Sequence, residues 1–188
     1  MLHHSNLIFR EEFKNRPETS YIVLHHTEVK GRHNVREVHQ WHLNRKTSSN
    51  EPWAGIGYHF YVDKDGEIFT GRPVGAKGAH VGDFNSKSIG VCYEGHFDIE
   101  MMSSKQEEAS VMLLALLSLV YPNAKFIKHH DLNKAKTCPG KNFPYDSLMQ
   151  KVEICKNRLI SLFGEPRQSG KVAPNVNTFD YSALLDLL

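Results

Sequence analysis

Tyr21-Ile22-Val23-Leu24-His25-His26-Thr27 is the stretch that decides how this chain folds. Its first four residues are apolar or aromatic without alternation, the pattern of a strand buried on both faces. Such a strand delivers whatever follows, here two imidazoles and a hydroxyl, to the carboxyl end of a sheet. A second short strand, Lys125-Phe126-Ile127-Lys128, runs in the same way into His129-His130-Asp131. Cys138 follows shortly, inside Lys136-Thr137-Cys138-Pro139-Gly140. His25, His129 and Cys138 make a candidate zinc set. Two imidazoles and one thiolate are good zinc ligands, and three protein ligands leave a fourth position for water, the catalytic rather than the structural arrangement. On spacing alone, His26, His42, His59 and His130 compete for the same role.

Working outward, Asn34 with Glu37 reads as a capping box opening a helix that carries Val35, Val38 and Trp41 or His42 on one face. Tyr58–Val62 and Glu67–Thr70 flank Asp63-Lys64-Asp65-Gly66, a hairpin signal. The glycine-bearing segment 71–85 reads as a long surface loop, a common place for function. Ser88–Tyr93 is another strand. Ser104 with Glu107 reads as a second capping box, opening a largely apolar helix that Pro122 closes. Leu148, Val152, Cys155, Leu159 and Leu162 form the stripe of an amphipathic helix ending at Gly164. Residues 1–20 read as an irregular leader or short helix. Residues 165–178 read as a linker and Phe179–Leu188 as a short apolar tail able to form a helix. The expectation is α/β: one domain over residues 1–164, with a central mixed sheet flanked by helices.

Composition narrows the function. The 188 residues carry a net charge of +2, with 23 basic residues against 21 acidic, which argues against a nucleic-acid binder. Three separated cysteines cannot build a disulfide framework. The opening MLHHSNLIFREEF lacks the pattern of a secretory signal peptide. The longest apolar run, Val111 to Leu117, is far short of the ~20 residues a membrane helix needs. The chain is expected to be made in the cytoplasm and to work outside it only after release.

Six segments, taken in order, resemble the zinc-dependent N-acetylmuramoyl-L-alanine amidases of the type shared by phage lysozyme-amidases and peptidoglycan recognition proteins. They are Ile22-Val23-Leu24-His25-His26-Thr27, then Val35 to His42, then Gly57-Tyr58-His59-Phe60 and Asp65-Gly66-Glu67-Ile68. Gly78-Ala79-His80 with Asn85 to Cys92 follows, and His129-His130-Asp131 with Lys136-Thr137-Cys138-Pro139 closes the series. The match spans about residues 20–145.

That resemblance implies peptidoglycan as partner and Zn2+ as cofactor, held by His25, His129 and Cys138. It implies Tyr58 at the zinc-bound water and Lys136 facing the reacting carbonyl. It sets His80, Asn85 and Arg72 along the substrate groove. The reaction implied is hydrolysis of the amide between N-acetylmuramic acid and L-alanine, in a phage or prophage lysin freed by a holin or by lysis, or in a bacterial autolysin. A non-catalytic binding module on the same fold is the alternative; such modules lose a ligand, typically the cysteine. A recycling amidase of the cytosol would carry a glutamate where this chain has Cys92. Glu94, two residues on, reads better as a solvated or paired acid than as a general base.

Overall fold

Two neighbouring parallel strands end where the sequence sets its histidines. The computed structural model describes residues 1–47 and 49–166, together with the backbone of 178–179. Its elements begin with β1 (Leu2–His3), β2 (Tyr21–His26), α1 (Val35–Leu43), β3 (Phe60–Val62) and β4 (Ile68–Thr70). They continue with β5 (Ser88–Tyr93), α2 (Ser104–Val120), β6 (Lys125–Lys128), α3 (His129–Leu132) and α4 (Tyr145–Phe163). One short 3-10 turn, Gly82–Phe84, lies in the long loop. The main sheet is mixed, in the order β1-β4-β3-β5-β2-β6. β3 and β4 form the antiparallel hairpin, while β2 lies parallel between β5 and β6.

Alternation along the strands assigns the faces. Ile22 and Leu24 of β2, with Ile89, Val91 and Tyr93 of β5, pack against the leucines of α2 and against Leu148, Val152 and Leu159 of α4. Each such leucine contributes about 1.5–3 kcal/mol by leaving water, so this face holds most of the apolar stabilisation. On the opposite face Val35 and Val38 of α1 cover Ile56, Tyr61 and Cys92. His25 lies between Leu24 and His26 and opposite Cys92 in the ladder, so it belongs to the α1 face. The α1 cap is complete: Asn34 Oδ1 accepts the amides of Arg36 and Glu37, and the Glu37 carboxylate accepts the Asn34 amide.

The expected elements differ from the observed ones in four places. Ser103, not Ser104, caps α2, its hydroxyl accepting the Gln106 amide at 3.1 Å. Glu107 is instead spent on Lys151 Nζ of α4 at 2.7 Å. The leader is irregular apart from β1, which pairs in parallel with β4. Leu162 is 66% exposed, because α4 outruns the sheet beneath it. Glu165–Pro166 (β7) pairs with Thr178–Phe179 (β8), and the helix suggested for the rest of the tail lies outside the described residues.

Candidate active site

Strand register brings the first two candidate ligands together. β2 and β6 pair Leu24 with Lys128, so the next residues, His25 and His129, stand side by side with ring centroids 4.6 Å apart. Cys138 returns on the loop after α3. The His130 amide donates to the Cys138 carbonyl at 2.8 Å. Asp98 anchors the same loop, accepting Thr137 Oγ1 at 2.7 Å and the Lys141 amide at 3.0 Å. Gly140 completes the turn at φ +103, where a Cβ would sit 2.4 Å from the Phe97 carbonyl carbon. Cys138 Sγ thereby lies 3.7 Å from His25 Nδ1 and accepts the His26 amide at 3.4 Å. One ligating atom from each of His25, His129 and Cys138 falls within 4.8 Å of the others.

The electrostatics favour a cation among them. Burial holds His25 well below the usual imidazole range, so its ring is a neutral donor. Burial also lowers His129, with help from the Lys136 ammonium. The Cys138 thiol is pushed up to about 12 by its burial, so it stays protonated unless a cation takes the proton's place. Two neutral nitrogens and one soft sulfur, with no fourth ligand in the group among the described residues, fit a borderline-soft divalent metal with an open position.

The competing histidines do not join this group among the described residues, and each holds a backbone partner elsewhere. His59 Nδ1 accepts the Gly90 amide and its Nε2 donates to the Ala76 carbonyl, both at 2.9 Å. His42 Nδ1 accepts the Gly57 amide at 3.0 Å. His39 joins the Ile56 amide to the Ile8 carbonyl. His26 Nδ1 accepts the Phe97 amide at 3.1 Å, and His130 Nδ1 donates to the Lys136 carbonyl at 2.7 Å. Burial pushes His42 down to about 4 and His59 down to about 3. Several of the remaining histidines thus serve to hold backbone groups, His39 and His59 joining two each.

Tyr58 sits beside the ligands, its ring centroid 5.0 Å from that of His25. Burial, with the Cys92 and Cys138 thiols nearby, raises its phenol well above the ordinary range. It stays a proton donor. Gly57 before it is hemmed in: a Cβ there would lie 2.0 Å from the Ala79 carbonyl oxygen. Lys136 is exposed at the mouth of the site, its charge felt by both His129 and Cys138.

Comparison with known proteins decides what this arrangement is. The family model described as N-acetylmuramoyl-L-alanine amidase matches residues 14–141. The chain belongs to the N-acetylmuramoyl-L-alanine amidase family. An endolysin of Klebsiella phage KP32 is 36% identical over 136 residues, covering 69% of this chain and 85% of that protein. The solved N-acetylmuramoyl-L-alanine amidase LysC from Clostridium intestinale is 30% identical with a TM-score of 0.74, covering 81% of this chain and 97% of the other. Drosophila PGRP-LB, at 23% identity and a TM-score of 0.63 over 76% of this chain and 89% of its own, shares the fold. The chain is accordingly an N-acetylmuramoyl-L-alanine amidase, a hydrolase of peptidoglycan.

Two of the candidate ligands, His129 and Cys138, line a groove of about 1030 Å³ in this amidase, walled also by Phe13, Trp41, Arg45, Trp53, Phe84 and Lys136 among others. The three residues expected along the groove, Arg72, His80 and Asn85, do line it, and each is also bound within the protein. Arg72 is turned inward, with Nε donating to the Ile56 carbonyl at 2.9 Å and Nη1 to the Lys77 carbonyl at 3.0 Å. Asn85 Oδ1 accepts the amides of His80 and Val81, which fixes the loop. His80 is directed at His25, its Nδ1 2.9 Å from His25 Nε2. Glu94 is 1% exposed and away from the metal ligands. Its carboxylate accepts the amides of His33 and Lys64 at 2.7 Å each, so it is a structural acid. Neither the His80–His25 contact nor the Asp98 anchor had a local sequence signature, because each joins segments far apart in the chain.

Proposed function

We propose that the amidase uses zinc held by His25, His129 and Cys138 to cleave the bond between the lactyl carbonyl of N-acetylmuramic acid and L-alanine, and that it serves as a phage or prophage lysin. The observation carrying this reading is the convergence of three metal-ligating atoms within 4.8 Å in the wall of a large groove. Zinc in such a site supplies Lewis acidity and an activated water near neutral pH. The rest falls to the chain. The Tyr58 phenol, kept protonated by burial, donates a hydrogen bond to an oxygen at the reacting centre. The Lys136 ammonium faces the oxyanion that develops as the amide carbon becomes tetrahedral. The groove walls, with Trp41 and Trp53, offer flat faces to the glycan. Endolysin relatives favour a lysin over an autolysin. No helix among the described residues is long and apolar enough to cross a membrane, which fits an enzyme that gains access to the wall on lysis.

The test is digestion of purified peptidoglycan with and without a chelator. Mass spectrometry should show stem peptides beginning at L-alanine and intact glycan strands, with cleavage abolished by EDTA and restored by zinc. New reducing sugar ends in place of free peptides would overturn the assignment.

A further inference from the structure

The bond between His25 and His80 belongs to a chain of hydrogen bonds whose direction is set at its far end. The Ser88 hydroxyl lies 2.7 Å from the Phe84 carbonyl oxygen. A carbonyl can only accept, so the Ser88 proton points there and a lone pair of Oγ faces the other way. That lone pair faces His80 Nε2 at 3.4 Å, which places the His80 proton on Nε2. Nδ1 of His80 is then a bare acceptor, and His25 Nε2, 2.9 Å away, must be the donor. A neutral His25 protonated on Nε2 has its lone pair on Nδ1, the atom that faces Cys138 Sγ at 3.7 Å. Neutral imidazole has one donor and one acceptor nitrogen, so each link determines the next.

The fold holds His80 in place for this. Its amide is bound by Asn85 Oδ1 at 2.8 Å. Its ring fills a slot that two glycines leave open: a Cβ on Gly78 would come within 2.5 Å of it, and one on Gly90 within 2.8 Å. Ser88 is fully buried.

We propose that His80 is a positioning residue, the outer partner that, backed by Ser88 and the Phe84 carbonyl, fixes His25 as the Nε2–H tautomer and so presents Nδ1 to the metal. This rests on the metal-centre reading above and adds to it a residue outside the three-residue ligand group. Outer partners of ligating histidines characteristically change metal affinity by about 10–100-fold.

The experiment uses zinc and the intact chain. Zinc affinity is measured by competition with a chromophoric chelator for the wild type, His80→Leu and His80→Asn, beside thermal melting of each metal-free protein. Leucine fills the slot without an acceptor; asparagine sets Oδ1 near the place of Nδ1. The expected result is zinc affinity lower by about 10–100-fold in His80→Leu and restored to within a few-fold in His80→Asn. Equal affinity in all three, or equal loss in both variants, would overturn the proposal. Should His80→Leu fail to fold, the wild type decides alone. Long-range proton–nitrogen NMR of the metal-free protein should show His25 and His80 as Nε2–H tautomers, and a proton on Nδ1 of either overturns it. A wild type that binds no zinc would sink the metal-centre reading as well, whereas one that binds zinc regardless of residue 80 would sink only this inference.

Discussion

At the scale of single residues, the site divides cleanly into ligands, charge and backbone supports. Cys138→Ala should abolish zinc binding and amidase activity while leaving the circular dichroism spectrum unchanged, because the loop around it is anchored by Asp98 and His130 rather than by the sulfur. Lys136→Ala should keep full zinc occupancy and lower kcat by roughly 10²–10³, the scale of one oxyanion donor. Turnover at the wild-type rate would exclude the lysine from that role. His25, His129 and Cys138 were readable in sequence as candidates, because two of them follow recognisable strands and the third opens a Cys-Pro-Gly turn, but only the resemblance chose them over the other histidines. The internal partners of Arg72 and Asn85 were not readable, since a guanidinium or an amide looks the same in a chain whether it faces a ligand or meets a distant carbonyl or amide; Glu94 was legible as a solvated or paired acid, but not the partners it takes. Only the Ile56, His80 and His33 backbone groups that they meet tell the two apart.

At the scale of elements, local chemistry specifies nearly everything that can be settled locally. Asn34→Ala removes both acceptor bonds of the α1 cap and should cost about 1 kcal/mol in a urea titration. Gly57→Ala should cost more and reduce activity, because a Cβ 2.0 Å from the Ala79 oxygen must displace either the loop or Tyr58. The capping box, the hairpin around Gly66 and the strands at Ser88–Tyr93 and Lys125–Lys128 were legible since their determinants lie within a few residues. The Leu2–His3 strand was not, because what makes it a strand is Ile68–Phe69, more than sixty residues away. The α2 cap slipped by one residue because Ser103 and Ser104 are chemically alike, and only the geometry at Gln106 chooses between them.

At the scale of the whole molecule, the buried neutral histidines make stability depend on pH. His42 and His59 have folded values near 4 and 3, below the ~6.5 of an unfolded chain. As pH falls below 6.5 the unfolded chain takes up protons that the folded one refuses. Stability is therefore complete above that point and declines toward pH 4, by roughly 2–3 kcal/mol per pH unit at the steepest for this pair. Denaturant midpoints at pH 7, 6 and 5 should fall in that order, and a flat series would show that these rings are accessible to protons. The ligand layout belongs to this scale too. His25 and Cys138 lie 113 residues apart in the chain. No fragment ending before Cys138 holds all three candidate metal-ligating residues, so a metal centre of this kind closes only when the two ends of the fold are both present.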